Sequence, residues 1–518
     1  MGILDITIFV LYGVLIIGVG NWLARSKGKE RSSNDYFFAN KSLPWFLVGS
    51  SIIAANISAE QFIGMSGSGY AIGLGIATYE WIAALILIVV AKYFLPVFVE
   101  KKIFTMPQFL ALRYDNRIKT ILAIFWISLF VFVNLTSILY LGALTLKAVF
   151  GIKLVYGIIG LALFSLLYTI VNGLKAIAST DIIQVFFLLG GGLITTFFAV
   201  NKVGGDTGII EGFKAMFEMV PDKFHMIIEK SDPNFTYLPG IRAIFGGIWI
   251  AGIYYFGANQ YIIQKAFGAK SLKEAQKGMI FASYLKFILP FVVVIPGIAV
   301  FALSADIGKA DEAYPWLLEN IVPAGLKGLI FAALIAAIVS SFSAIINSTS
   351  TIFTMDLYKP YFNKNASEKR LVAVGRISGV VAMTIAVIVA PLLGSIDQAF
   401  QFIQEYTGMI SPGITAIFVL GMFWKRTTSG AALWGTIISI PVSAVLKFLF
   451  PEIPFLDQMF ISFLFISFFI IVVSLIDRRK YDNKGLKLSR EIFRTDKTFN
   501  LLSIVIVLIF AAIYIIFW

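Results

Sequence analysis

Apolar runs of about twenty residues or more recur from one end of this chain to the other, about fourteen in all. Each is long enough to cross the hydrocarbon of a bilayer as one α-helix. That leaves few folds open. In lipid a backbone must satisfy its own hydrogen bonds, so only helices and closed barrels span, and barrel strands would be shorter and alternating. With 59% hydrophobic and 14% charged residues over 518 positions, and a mean hydropathy of +0.88, one soluble core is excluded. The expectation is an all-α integral membrane protein of about fourteen transmembrane helices, with the lipid bilayer as its surroundings.

The formal charge of +13 does not point to nucleic acid, because the basic residues sit in short loops between spans rather than on one face or tail. They report topology. Cysteine is absent and His225, the single histidine, lies in a polar loop. Disulfides, thiolate chemistry, a histidine-based hydrolytic triad and a transition-metal site are therefore not expected. Gly67, Ser68 and Gly69 lack the strand and third glycine of a dinucleotide fingerprint, so no organic cofactor is expected and the chain does not read as an enzyme. The first apolar run has no basic segment before it and no cleavage site after it, and reads as a retained helix. No soluble domain argues for an obligate protein partner.

Taken in order, the loops carrying Arg25, Lys27, Lys29, Arg31 and Lys41; Lys101, Lys102, Arg113, Arg117 and Lys119; Lys265, Lys270, Lys273 and Lys277; Lys359, Lys364, Lys369 and Arg370; and Arg478 to Lys497 all fall on one side with this count. The positive-inside rule makes that side cytoplasmic and puts both termini outside, in a cell inner (plasma) membrane. The polar segment Asn201 to Pro239 and the acidic loop with Asp306, Asp311, Glu312 and Glu319 then lie outside. The division expected is a first helix and loop (1–42), five helices (43–200), an outer loop (201–240), five more helices (241–424) and a three-helix extension (425–518).

The stretch from Ile53 to Ser68, IAANISAEQFIGMSGS, interrupts an apolar run with Asn56, Ser58, Glu60 and Gln61. Polar groups at membrane depth are costly and mark cavities or pathways. The small residues Ala54, Ala55, Ser58 and Ala59 suit a helix that breaks and offers its carbonyls to an ion. Five spans later, Ile241 to Phe267 carries Gly246, Gly247, Gly252 and Gly257, a second helix with reason to be irregular. Two discontinuous helices at that spacing suggest paired five-helix repeats of inverted topology meeting at a substrate site. A cation-coupled transporter is the reading that follows.

The run FAALIAAIVSSFSAIINSTS places Ser340, Ser341, Ser343, Asn347 and Ser348 on adjoining faces of one helix. Adjacent hydroxyls with a carbonyl such as that of Ala337 make a hard-cation shell when a second helix adds carbonyls, and sodium suits them better than a transition metal. The alternative is that small serines let helices approach. Glu80, beside Tyr79, and Lys286 are intramembrane charges, either a structural ion pair or substrate contacts. With Gln61 and Gln404 they would offer a polyhydroxy solute both donors and acceptors. Asp181 would guide a cation or cap a helix.

Together, ANISAEQFIGMSGSGYAIG, TYEW, TDIIQVFF, NQYIIQKAFGAKS, AAIVSSFSAIINST and IQEYTGMISPG resemble the sodium/solute symporter family, most nearly its bacterial galactose-carrying members. The resemblance implies a LeuT-type fold of two inverted five-helix repeats with flanking helices, and sodium as coupling ion. It implies a sodium site from the carbonyls of Ala54, Ile57 and Ala337 and the hydroxyls of Ser340 and Ser341, with Asp181 on the exit route. It further implies sugar or polyol contacts by Gln61, Glu80, Lys286 and Gln404, an inner gate in which Asn56 holds Tyr255, and an outer lid of Met65, Tyr79 and Phe400. Three positions depart from the galactose-carrying pattern: Gly252 replaces an asparagine, Phe256 a tryptophan and Ala83 a serine. An unmatched sugar hydroxyl costs about 1–3 kcal/mol, so a different hexose or a polyol would fit such a pocket. The serine pair that some relatives use for a second ion is incomplete, since Ala344 follows Ser343. The rival readings are a symporter of the same fold for an amino acid or carboxylate, and a passive facilitator.

Overall fold

In a computed structural model, residues 2–24, 41–171, 174–395, 398–477 and 484–518 are described. The basic loop predicted around Arg25, Lys27, Lys29 and Arg31, and part of that beginning at Arg478, lie outside them. The described chain is helical, as apolar runs in lipid require. Among the described residues ten helices are long and apolar enough to span, or up to twelve if each of two bent pairs counts as one span. Ile3–Ala24 and Leu154–Val171 stand at two further predicted spans, but their apolar stretches, Ile3–Ile16 and Leu154–Leu167, are shorter.

The first bent pair is Trp45–Asn56 with Glu60–Ala71, inclined at 61°; the second is Pro233–Phe245 with Gly247–Ala258, at 77°. Both fall where the sequence is irregular. In the second, the chain turns at Gly246 and is extended again at Asn259 (φ −91°, ψ 123°), after which Gln260–Phe267 continues as a separate short helix. Lys265 belongs to that helix and is only 1% exposed, which corrects its placement in a cytoplasmic loop. The polar residues around Lys265 read as loop because the helix resumes after a bend rather than continuing an apolar run.

Helix Leu272–Ala302 runs alongside both halves of the first bent pair. The approach is backbone to backbone: a Cβ on Gly49 would strike the carbonyl of Gly278, and one on Gly297 the carbonyl of Ser66. Small residues at such seams replace the hydrophobic drive that lipid does not supply between helices. Burial ranks the helices. In Leu326–Phe362 the apolar window is 94% buried, whereas in Lys497–Ile516 it is 17%, so the serine-bearing helix is central and the last one faces lipid. The serine helix is anchored at its start by Asp5, whose Oδ1 accepts the amides of Gly325 at 2.7 Å and Gly328 at 3.0 Å, filling two orphan donors of a helix N-terminus.

The other end of the broken helix is held by the predicted outer segment. The carbonyl of Ala71 accepts from Lys223 Nζ at 2.6 Å and from Asn234 Nδ2 at 3.4 Å. Burial holds the Lys223 ammonium below the usual lysine range, opposed by the carboxylates of Asp232 and Asp222.

Candidate functional site

The site begins where the first bent pair breaks. At Ile57 the backbone is extended (φ −78°, ψ 106°), although its amide still closes the preceding helix on Ile53 at 2.7 Å. Side chains then replace helical bonds: Ser58 Oγ accepts the amide of Glu60, and Gln61 Oε1 accepts the amide of Ser58, both at 3.2 Å. The chain resumes as a π-turn over Glu60–Met65. Two more π-turns, Phe130–Leu135 and Tyr254–Ala258, meet the same space. π-Turns in α-helices recur at functional sites, because the extra residue turns side chains off the regular stripe.

Between these elements lies a cavity. Every residue expected to hold substrate lines it, Gln61, Glu80, Lys286 and Gln404, and so do all the expected gate residues, Asn56, Met65, Tyr79, Tyr255 and Phe400. Its polar wall is a chain of contacts. Lys286 Nζ donates to Glu80 Oε2 at 2.6 Å and to Asn56 Oδ1, and Asn56 Nδ2 donates to the Tyr255 hydroxyl at 3.2 Å. The charged side chains of the pair are 1% and 4% exposed. Such a pair is secure only while complete, since removing one partner strands a buried charge at about 3–5 kcal/mol. The two intramembrane charges that the sequence left as either pair or contact are thus paired with each other and still face the cavity.

The adjoining wall is apolar. The three departures from the galactose-carrying pattern, Ala83, Gly252 and Phe256, line it with Ile86. The Ile86 side chain fills the place a Cβ on Gly252 would take. The Phe256 ring lies 5.4 Å from Lys286 Nζ, a cation–π contact, and Tyr79 meets Phe400 edge to face at 5.5 Å. Asn134, which the sequence reading passed over, also lines the cavity. Its one signal is that it is a lone amide in the apolar run FVFVNL.

A second polar cluster lies off the cavity, between the end of Trp45–Asn56 and the serine helix. Ser341 Oγ donates toward the carbonyls of Ala54 at 3.5 Å and Ala55 at 3.4 Å. Ala337 is one turn before Ser341 and Ile57 is at the break itself, both buried. Ser340 donates to Asp181 Oδ1 at 2.5 Å, Ser51 donates to Asp181 Oδ2, and Lys265 Nζ lies 3.2 Å from the same oxygen. Asp181 is inside helix Leu174–Val203 and fully buried, so it caps no helix, which corrects that alternative. Ser51 and Lys265 are partners the sequence did not propose. Ser343 points elsewhere, to the Thr169 hydroxyl at 2.6 Å and the Val339 carbonyl, and Ser348 donates to Gln264. Hard oxygen donors from two helices are chemistry for an alkali or alkaline-earth cation rather than a soft metal.

Known proteins share this plan. The chain is 51% identical to the sodium/glucose cotransporter of Vibrio parahaemolyticus, an alignment covering 100% of this chain and 99% of that protein. It is 32% identical to sodium/myo-inositol cotransporter 2 of Oryctolagus cuniculus, covering 86% and 71% respectively. Among solved structures, a Na+-coupled sialic acid symporter in a substrate-bound outward-open state superposes with a TM-score of 0.82 at 25% identity, over 94% of this chain and 99% of that one. The fold is the LeuT type that the resemblance implied. The model of the sodium:solute symporter family matches residues 36–439. A match over most of the length, beside a relative half-identical from end to end, means that the chain belongs to the sodium:solute symporter family.

Proposed function

We propose that this protein is a sodium-coupled symporter that imports a sugar, a hexose such as glucose or galactose or else a polyol, by alternating access. One observation carries the coupling. Three consecutive residues at a single helix break serve both polar clusters: Ala54 and Ala55 offer carbonyls to Ser341, and Asn56 ties Lys286 to Tyr255 at the cavity wall. An ion that settles the end of that helix therefore settles Asn56, and with it the cavity. That is a differential interaction of the kind coupling requires.

In this reading the ion is held by the carbonyls of Ala54, Ile57 and Ala337 and the hydroxyls of Ser340 and Ser341. Because Ser340 donates its hydroxyl hydrogen bond to Asp181, its lone pairs are free for a cation, and the carboxylate behind it makes it a better ligand. Asp181 then receives the ion on leaving. Gln61, Glu80, Lys286 and Gln404 take the sugar hydroxyls, and the sugar's apolar face rests on the wall of Ala83, Ile86 and Phe256. Met65, Tyr79 and Phe400 close the outer side and Tyr255, held by Asn56, the inner side. The side of the basic loops is cytoplasmic, both termini are extracytoplasmic, and the membrane is the plasma membrane. The two five-helix repeats occupy 43–200 and 241–424, with about fourteen spans in total. Each sodium entering moves one charge down the membrane potential, about 2.3 kcal/mol per 100 mV, which suffices to concentrate a neutral solute.

The test is uptake of labelled galactose, glucose, myo-inositol, an N-acetylated sugar and proline into proteoliposomes, with and without an inward sodium gradient. Uptake of one sugar or polyol that depends on the gradient is the expected result. Uptake of proline alone would overturn the substrate, and uptake at the same rate without sodium would leave a facilitator.

A further inference from the structure

Besides the paired Glu80, the cavity holds a second carboxylate, Glu60, with no counter-charge in contact with it among the described residues. Glu60 sits on the π-turn after the break, lines the cavity and is 8% exposed. Asn134, on the facing π-turn, donates a side-chain hydrogen bond to it and is 6% exposed. Among the described residues, Glu60 Oε1 and Asn134 Oδ1 have no partner at all. Lys286, the ammonium on the cavity wall, is already engaged with Glu80 and Asn56.

A buried acceptor without a donor costs free energy, and in native structures such groups are few and have a reason. Here two lie side by side, and both open atoms, Glu60 Oε1 and Asn134 Oδ1, are oxygens that accept, while the Asn134 amide uses one of its two N–H groups on Glu60. What satisfies them is a ligand edge that donates twice from adjacent atoms. We propose that Glu60, fixed in place by Asn134, is a further substrate contact that selects a vicinal pair of hydroxyls on the transported sugar or polyol. The assignment rests on the sugar or polyol reading above. It gives the cavity a direction: one edge of the ring meets the Glu80 and Lys286 pair, which both accepts and donates, and another meets a site whose open atoms accept. A substrate with a carboxylate or an ether oxygen at that second edge is refused.

The experiment is competition against sodium-driven uptake in proteoliposomes by monodeoxy and monofluoro analogues of the transported solute, position by position. The wild type is compared with Glu60→Ala, Glu60→Gln and Asn134→Ala. A deoxy carbon neither donates nor accepts, and fluorine does not donate. For the wild type, both analogues at two adjacent positions should bind about tenfold or more worse, as for a lost bond to a charged group. In Glu60→Ala and Asn134→Ala the penalty at those positions should shrink several-fold while the others keep theirs. Glu60→Gln keeps the size of the side chain and so carries the test if the alanine variant does not fold; it should show a partial loss at the same positions. A profile that is unchanged, or that falls evenly at every position, overturns the assignment and leaves Glu60 a structural group. Absence of sodium-driven sugar or polyol uptake by the wild type overturns the reading beneath it, and the assignment with it.

Discussion

Among the described residues two lysine–carboxylate pairs are almost wholly buried on both sides, and they are finished in different ways. Lys286 and Glu80, 2.6 Å apart, stand in a cavity wall, and Lys286 extends to Asn56 and through it to Tyr255. Lys265 and Asp181, 3.2 Å apart, stand off the cavity, and both carboxylate oxygens of Asp181 are taken by protein hydroxyls, Ser51 on one side and Ser340 on the other. Both pairs are about equally buried. The first leaves hydrogen-bonding capacity turned to a cavity, where a ligand can use it. The second spends its capacity on four different helices and so joins them. A buried charge pair does not declare its purpose by burial alone; what completes its remaining valences does.

Substitutions can break that contrast, and the largest effect should come from the cavity pair. Lys286→Met should lower sodium-driven uptake at least a hundredfold and destabilise the protein by about 3–5 kcal/mol, since Glu80 is stranded and Asn56 released. Adding Glu80→Gln should restore much of the thermal stability in detergent without restoring uptake. If uptake returned with stability, the cavity pair would serve only to hold the fold, and the comparison would fall.

Ser341→Ala should come next. Losing one hydroxyl between Ala54 and Ala55 is expected to raise the sodium concentration for half-maximal uptake about tenfold, with little change in the solute KM at saturating sodium. An unchanged sodium dependence would remove this serine from the ion's path. Lys265→Met should reduce uptake several-fold and stability by a few kcal/mol; adding Asp181→Asn should recover the stability and leave uptake slower, because Asp181 lies on the ion's exit route, with the order of preferred solutes unaltered. A change in that order, measured on the same solute panel, would show that the second pair reaches the cavity after all. Smallest should be Gly252→Ala. Its methyl displaces Ile86, an overpacking effect of about 1–3 kcal/mol, and Ile86→Val should relieve it in the double variant. Selective loss of uptake for one solute would mark this wall as a specificity surface.

Much of this was legible in the sequence because lipid allows so few alternatives. Long apolar runs have to be helices, and polar residues such as Asn56 and Gln61 within one of them have to face something other than lipid. Glu80 and Lys286 each stood out as a charge at depth, but their pairing joins positions 206 residues apart, which no local pattern encodes. Lys265 was misplaced for a physical reason. Its short helix follows a bend at Asn259 and is rich in glutamine, so composition reads it as loop although the bundle closes over it. Asn134 was passed over because a single amide barely alters the hydropathy of its span. The register shifts that turn Glu60, Asn134 and Tyr255 toward one another are also invisible to a search for a 3.6-residue period, which presumes the very regularity they interrupt.

Those shifts carry a consequence for how such a protein changes over generations. A π-turn is in effect one residue inserted into an α-helix, and deleting one residue from it restores the ordinary winding. Three walls of this cavity owe their facing side chains to such insertions, at Glu60–Met65, Phe130–Leu135 and Tyr254–Ala258. Point substitution can exchange one side chain for another along those walls. Only gain or loss of a residue can rotate a whole wall, so new cavities in this architecture would arise by single-codon insertions and deletions, events that comparison by substitution alone does not count.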